Sequence, residues 1–268
     1  MRTLNIIVGI LLLILFHDCS KSKGEKIYTE ELVYESDGET LKGFLAYDET
    51  IEGKRPGILV VHEWWGHNPY ARKRAKMLAE LGYTALAIDM FGDGKQASHP
   101  DDAMKFVQDV LENLPNAEAR FKAGLNLLKA NPVTNPDQIA AIGYCFGGGV
   151  VIYMALSGID LDGVVSFHGA LEVASSVEPG QVKAKVMALN GADDPFVTAE
   201  QIENFKKVME NANVEYRLIS YPGAKHSFTN PDADSVGKKF NLPLVYNKSA
   251  DEQSWAEMQD FFNKIFEN

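Results

Sequence analysis

The chain has 268 residues, 46% of them hydrophobic, and a formal net charge of -11. That length and apolar fraction support one substantial core, and the acidic balance excludes a surface built to grip nucleic acid or anionic membrane, which needs clustered Lys and Arg. Cys19 and Cys145 are the only cysteines, so no disulfide framework holds the fold.

Arg2 followed by the apolar run Ile6 to Phe16 is too short to span a bilayer comfortably and suits the core of a signal peptide. The stretch from Cys19 to Gly24 resembles the start of a mature bacterial lipoprotein, a cysteine followed by a polar tether. Residues 1–19 are therefore expected to be an export signal, 20–27 a tether, and the mature protein periplasmic or membrane-held through a lipid on Cys19. An uncleaved anchor and ordinary secretion are the alternatives. Palmitate label that disappears in Cys19→Ala is the expected result; no label on the wild type would remove the lipid.

A single folded domain is expected over 28–268. Glu31 to Tyr34 and Leu41 to Ala46 flank Ser36-Asp37-Gly38 and read as an antiparallel hairpin. Gly57 to His62 is a continuous apolar run, as expected of a strand covered on both faces. Helical periodicity then places helices near Pro69 to Leu81, Asp101 to Leu114 and Ala117 to Ala130, with a strand at Thr84 to Asp89. Further strands are expected at Gln138 to Ile142, Gly163 to Phe167, Val186 to Asn190 and Glu215 to Tyr221, and helices at Thr198 to Asn211 and Ala250 to Phe266. The stretch from Asp232 to Lys248 reads as a long polar surface loop, with a partial lid as the alternative. Alternation of this kind predicts an α/β fold, a doubly wound, mostly parallel sheet with N-terminal antiparallel strands and helices on both faces.

In such a sheet functional groups collect at the carboxyl ends of strands. Gly143-Tyr144-Cys145-Phe146-Gly147 sits between an apolar strand and a helical segment, the context of the G-x-S-x-G nucleophile elbow with sulfur in place of the hydroxyl. The five-residue pattern is weak by itself, and a buried structural cysteine is the competing reading. Asp193 and Asp194 follow a later strand and His226 the last one, so thiol, acid and imidazole occur in α/β-hydrolase order. A protonated thiol needs an imidazole to take its proton, and a carboxylate on the far ring nitrogen fixes the tautomer. The N-terminus of the helix after Cys145 favours thiolate.

Four motifs carry a resemblance to the dienelactone hydrolase family of α/β-hydrolases: His62-Glu63-Trp64-Trp65-Gly66, Gly143 to Gly148, Gly191 to Val197, and His226-Ser227-Phe228. The resemblance spans roughly 28–266 and implies an α/β-hydrolase fold with a Cys145, His226, Asp194 triad. It also implies that Glu63 holds the resting thiol and moves aside when substrate binds. The family spacing from Gly191 to Val197 selects Asp194 as the partner of His226, with Asp193 as the alternative. An oxyanion hole is expected from the backbone N–H groups of Phe146 and Trp64.

Trp64, Trp65 and His168 are candidate substrate contacts, and His62 reads as a structural histidine. No cluster has metal-ligand spacing and no Gly-rich loop has a phosphate-binding fingerprint, so no metal or cofactor is implied. Dienelactone hydrolases proper hold a substrate carboxylate with arginines, one of them shortly after the catalytic histidine. Here His226 is followed by Ser227, Phe228, Thr229 and Asn230, which do not replace a guanidinium fork. The expected reaction is hydrolysis of a small ester or lactone through a thioester on Cys145. A thiol amidase or peptidase on the same fold, and a surface-tethered binding protein without turnover, are the alternatives.

Overall fold

The computed structural model describes residues 26–172 and 177–267. Cys19 and the expected signal lie outside the described residues. The chain enters through an antiparallel hairpin, β1 (Ile27–Ser36) and β2 (Glu39–Asp48). Asp37 and Gly38 turn it with φ of 49° and 81°, the left-handed geometry that matches strand twist in a two-residue loop. Both strands outrun the apolar segments that announced them. The ladder pairs Ile27 with Asp48 and continues to Ser36 with Glu39, because backbone hydrogen bonds extend through polar residues that carry no apolar signal.

The remaining strands are β3 (Arg55–Val61), β4 (Thr84–Ile88), β5 (Thr134–Tyr144), β6 (Gly163–Phe167), β7 (Lys185–Gly191) and β8 (Tyr216–Tyr221). They form one eight-stranded sheet in the order β1-β2-β4-β3-β5-β6-β7-β8. The β1–β2 and β2–β4 pairs are antiparallel and the others are parallel. Because side chains alternate along a strand, each strand feeds two cores. Leu59, Val61, Val164 and Val186 pack on one face with Phe121, Met154 and Phe205. Ile58, Val60, Val165 and Met187 pack on the other with Leu78, Met258 and Phe262.

The helices follow from this division. Those of the first face are α2 (Pro100–Leu111), α3 (Leu114–Ala130), α4 (Phe146–Leu156) and α5 (Ala199–Asn211); α1 (Pro69–Glu80) and α7 (Lys248–Phe266) cover the second. The strand order reverses around β3: β4 lies on one side of it and β5 on the other, both parallel to it. That switch opens a crevice at the carboxyl ends of β3 and β5, where Glu63 and Cys145 lie.

The long loop expected from Asp232 to Lys248 is corrected. It contains a helix, α6 (Ala233–Phe240), and then returns alongside His226: Leu244 bridges to His226 and the Val245 N–H donates to the His226 carbonyl, N···O 3.2 Å. The short apolar content of α6 hid it, since only Ala233 and Gly237 are buried.

One buried cation ties the second face to the site. Arg74 of α1 is 3% exposed; it donates to Asp251 Oδ1 and to the Thr229 carbonyl, both at 2.6 Å, and to the Tyr70 hydroxyl at 3.2 Å. Its guanidinium also lies over the rings of Tyr70, Tyr144 and Trp255. Removing one partner of such a pair strands the other, at about 3 kcal/mol or more. Arg74→Met is expected to lower the melting temperature by roughly 6–12 °C, read by calorimetry; an unchanged transition would contradict this role.

Candidate active site

Cys145 stands between β5 and α4 with φ 54° and ψ -116°, a conformation rarely adopted by a residue with a side chain and costing on the order of 1–3 kcal/mol. The turn is built on glycines for a steric reason. A Cβ on Gly143 would lie 2.0 Å from the Gly147 carbonyl oxygen, and one on Gly147 would lie 2.4 Å from that of Val61. Only with both side chains missing can β5 turn into α4 this sharply and leave the thiol at the sheet edge.

The other two groups reach it from neighbouring strand ends. His226, after β8, brings Nε2 to 3.1 Å from Cys145 Sγ. Its Nδ1–H donates to Asp194 Oδ2 at 2.8 Å, and the Asp194 side chain, after β7, is fully buried. The adjacent Asp193 is exposed, so the carboxylate that meets the imidazole is that of Asp194. Asp194 is itself fixed by the Phe196 N–H, which donates to its other oxygen at 2.9 Å.

Burial opposes a charge on His226, but the negative charge at Cys145 and the hydrogen bonds and charge of Asp194 outweigh it, and the imidazole is pushed up to about 10. The folded imidazole thus holds its proton more tightly than the unfolded one. Its contribution to stability is fully present below pH 6.5 and is lost as pH rises from there through about 10. In Cys145→Ala the raising charge is gone, so the His226 ring resonances are expected to titrate at lower pH by NMR. Titration at the wild-type pH would contradict the coupling.

Glu63, after β3, is 1% exposed. It accepts from Asn230 Nδ2 at 2.8 Å and from Ser227 Oγ at 3.3 Å. Burial pushes its carboxyl up from the ordinary carboxylate range, against Asn230, His226 and Ser227. The expectation that Glu63 holds the resting thiol is not met: the thiol is paired with His226, and Glu63 with Ser227 and Asn230. Asn230 at that place supplies an amide donor short enough to meet a buried carboxylate.

An apolar cavity of about 300 Å³ opens over the thiol, lined among others by Trp64, Phe146, Phe196, His226 and Leu244. Among the described residues, neither the Trp64 N–H nor the Phe146 N–H donates to an acceptor within the protein. Both therefore remain available beside Cys145. Two expected substrate contacts are corrected. Trp65 does not line the cavity; it stacks on Phe240 and supports Trp64 edge-on. His168 is fully buried behind the elbow, accepting the Cys145 N–H on Nδ1 at 3.2 Å and donating from Nε2 to Thr229 Oγ1 at 2.8 Å. Burial, then the neighbouring His226, holds it well below the ordinary histidine range, and it serves the turn. His62 is structural as expected, with Nδ1–H donating to the Glu63 carbonyl and Nε2 accepting from Met90.

Residues 41–266 match the dienelactone hydrolase family. The chain belongs to the dienelactone hydrolase family. This relative of the family is a hydrolase by that membership, and it is 30% identical over 208 residues to Protein usf of Aquifex pyrophilus, covering 76% of this chain and 88% of that one. Among solved structures, a dienelactone hydrolase-like promiscuous phosphotriesterase from metagenomic libraries is 31% identical, with a TM-score of 0.83 over 90% of this chain and 99% of that one. A thermophilic esterase of Thermogutta terrifontis shares the fold at 16% identity, with a TM-score of 0.65 over 88% of this chain and 92% of that one.

Some residues of this hydrolase site carry little sequence signal. Ser227 and Asn230 mark themselves only by following His226. Phe196 and Leu244 come from loops, where periodicity is silent.

Proposed function

We propose that the protein hydrolyses small esters or lactones through a thioester on Cys145. Attack of the Cys145 thiolate on the carbonyl carbon forms the C–S bond and places negative charge on the carbonyl oxygen, which the Phe146 and Trp64 N–H groups receive. The His226 imidazolium then gives its proton to the leaving alcohol oxygen as the C–O bond breaks. In the second half, neutral His226 takes a proton from water, the hydroxide oxygen bonds to the acyl carbon, and the C–S bond breaks to return the thiolate. Asp194 orients the imidazole and stabilises its charged form.

The observation that carries this reading is the unbroken relay from Sγ to Nε2 at 3.1 Å and from Nδ1 to Asp194 Oδ2 at 2.8 Å, on the floor of an apolar cavity. Donors aimed at the developing oxyanion typically contribute two to three orders of magnitude in rate. Stopped-flow mixing with p-nitrophenyl acetate tests it. A burst of about one p-nitrophenol per active site followed by slower turnover is expected of an acyl-enzyme pathway. Turnover that continues unchanged after Cys145 is alkylated would contradict it.

A further inference from the structure

We propose that the site is a two-armed apolar cleft that takes neutral esters with an extended hydrocarbon acyl chain, the acyl chain lying beneath α2 and the alcohol beside His226. This rests on the ester-hydrolase reading above. Beyond the cavity already described, a second one of about 470 Å³ runs away from the thiol between α2, α3 and α4. The two share Trp64, Met104, Cys145, Phe146 and Ala170, so the thiol stands at their junction.

Chemistry assigns the arms. The leaving oxygen must receive its proton from His226, and a general acid acts only within hydrogen-bond reach. His226 lines the first arm and is absent from the second. The alcohol therefore lies toward Phe196, Val197 and Leu244, and the acyl chain has the second arm. That arm is mainly apolar, with Tyr153 and Glu172 as its polar side chains beyond the thiol. Met104, Val107 and Leu111 recur at helical spacing on α2 and face it. Met104 and Leu111 are 48% and 57% exposed, a large apolar surface left open at its rim.

Charge points the same way. Among the described residues no Lys or Arg lines either arm, and the one carboxylate lining the second is that of Glu172. A substrate carboxylate there would lose its hydration with no partner and face a like charge.

Gly149 provides the probe. Unlike its neighbours in the elbow, it has room for a side chain: a Cβ there would meet Ala170 at 3.6 Å, ordinary contact. It lines the second arm on α4, so Gly149→Leu fills that arm from a sterically allowed position. Burial of one methylene is worth about fourfold in an equilibrium.

The experiment measures kcat/KM of the full chain, wild type and Gly149→Leu, on p-nitrophenyl acetate, hexanoate and hemisuccinate, and on methyl and hexyl acetate. For the wild type, hexanoate is expected to exceed acetate by about tenfold or more, and the carboxylate-bearing hemisuccinate to fall about tenfold or more below hexanoate. In Gly149→Leu the hexanoate-to-acetate ratio is expected to fall about tenfold, while the hexyl-to-methyl ratio moves by less than about twofold. Cys145-dependent turnover with no chain-length preference, or with hemisuccinate preferred, would overturn the arm assignment and leave the ester-hydrolase reading standing. A Gly149→Leu effect confined to the alcohol series would reverse the arms and overturn it too. Absence of Cys145-dependent turnover on any ester would overturn both; the wild-type panel needs no variant to fold.

Discussion

Replacing Cys145 with alanine lowers kcat/KM for p-nitrophenyl acetate by about four orders of magnitude or more, while near-UV circular dichroism stays that of the folded wild type. The size follows from the position of the thiol. It is the nucleophile of the first proposed half-reaction and the leaving group of the second, and without it only the residual catalysis of binding and oxyanion stabilisation remains. The fold is expected to survive because Cys145 is only half-buried and its strained backbone is held by Gly143, Gly147 and the bond from its N–H to the Phe167 carbonyl at 3.0 Å. A variant within tenfold of wild type would mean that the imidazole activates water directly and that the thiol is a structural neighbour.

Asp194→Asn is expected to cost about three to four orders of magnitude in kcat, and Asp193→Asn less than about threefold. The Asp194 oxygen accepts the Nδ1–H at 2.8 Å inside a fully buried pocket. Asparagine there can present its amide N–H, which favours the wrong tautomer and withdraws the stabilisation of the imidazolium. Asp193 faces solvent and contributes its backbone N–H to the Ala224 carbonyl, which asparagine preserves. Steady-state kinetics on the two variants side by side separates them. The reverse pattern would place the working carboxylate on Asp193.

How far sequence alone reached depended on what kind of signal each feature leaves. The sheet was legible because parallel strands buried on both faces read as continuous apolar runs such as Gly57 to Val61. Cys145, Asp194 and His226 were legible because strand ends are where this architecture places its chemistry, and glycine at 143 and 147 marks a turn that tolerates no Cβ. Helix α6 was missed because its apolar face, Ala233, Val236, Gly237 and Phe240, spans only eight residues, too few for helical periodicity to stand out in a polar stretch. His168 and Trp65 were misplaced for a common reason: a strand end or a motif locates the backbone, and only packing tells whether a side chain faces the cavity or the scaffold. The partners of Glu63 belong to the same class. Asn230 and Ser227 meet it from 167 and 164 residues away in sequence, a distance over which no local pattern operates.

Glu63 also shows how a polar group this deep is kept. Its carboxyl lies within 2.8–3.3 Å of two donors, which offsets much of the cost of removing it from water. Held in this way, it leaves the thiol to His226, whose Nε2 lies 3.1 Å from Sγ.

The proposed reaction requires acyl transfer to one sulfur atom. Quenching the p-nitrophenyl acetate reaction in acid within its burst phase, then digesting and weighing the peptides, reads this directly. The prediction is an acetyl group on the peptide that contains Cys145, removed by hydroxylamine and absent in Cys145→Ala. Rapid p-nitrophenol release with the Cys145 peptide unmodified at every time point, or with acetyl on another residue, would contradict it.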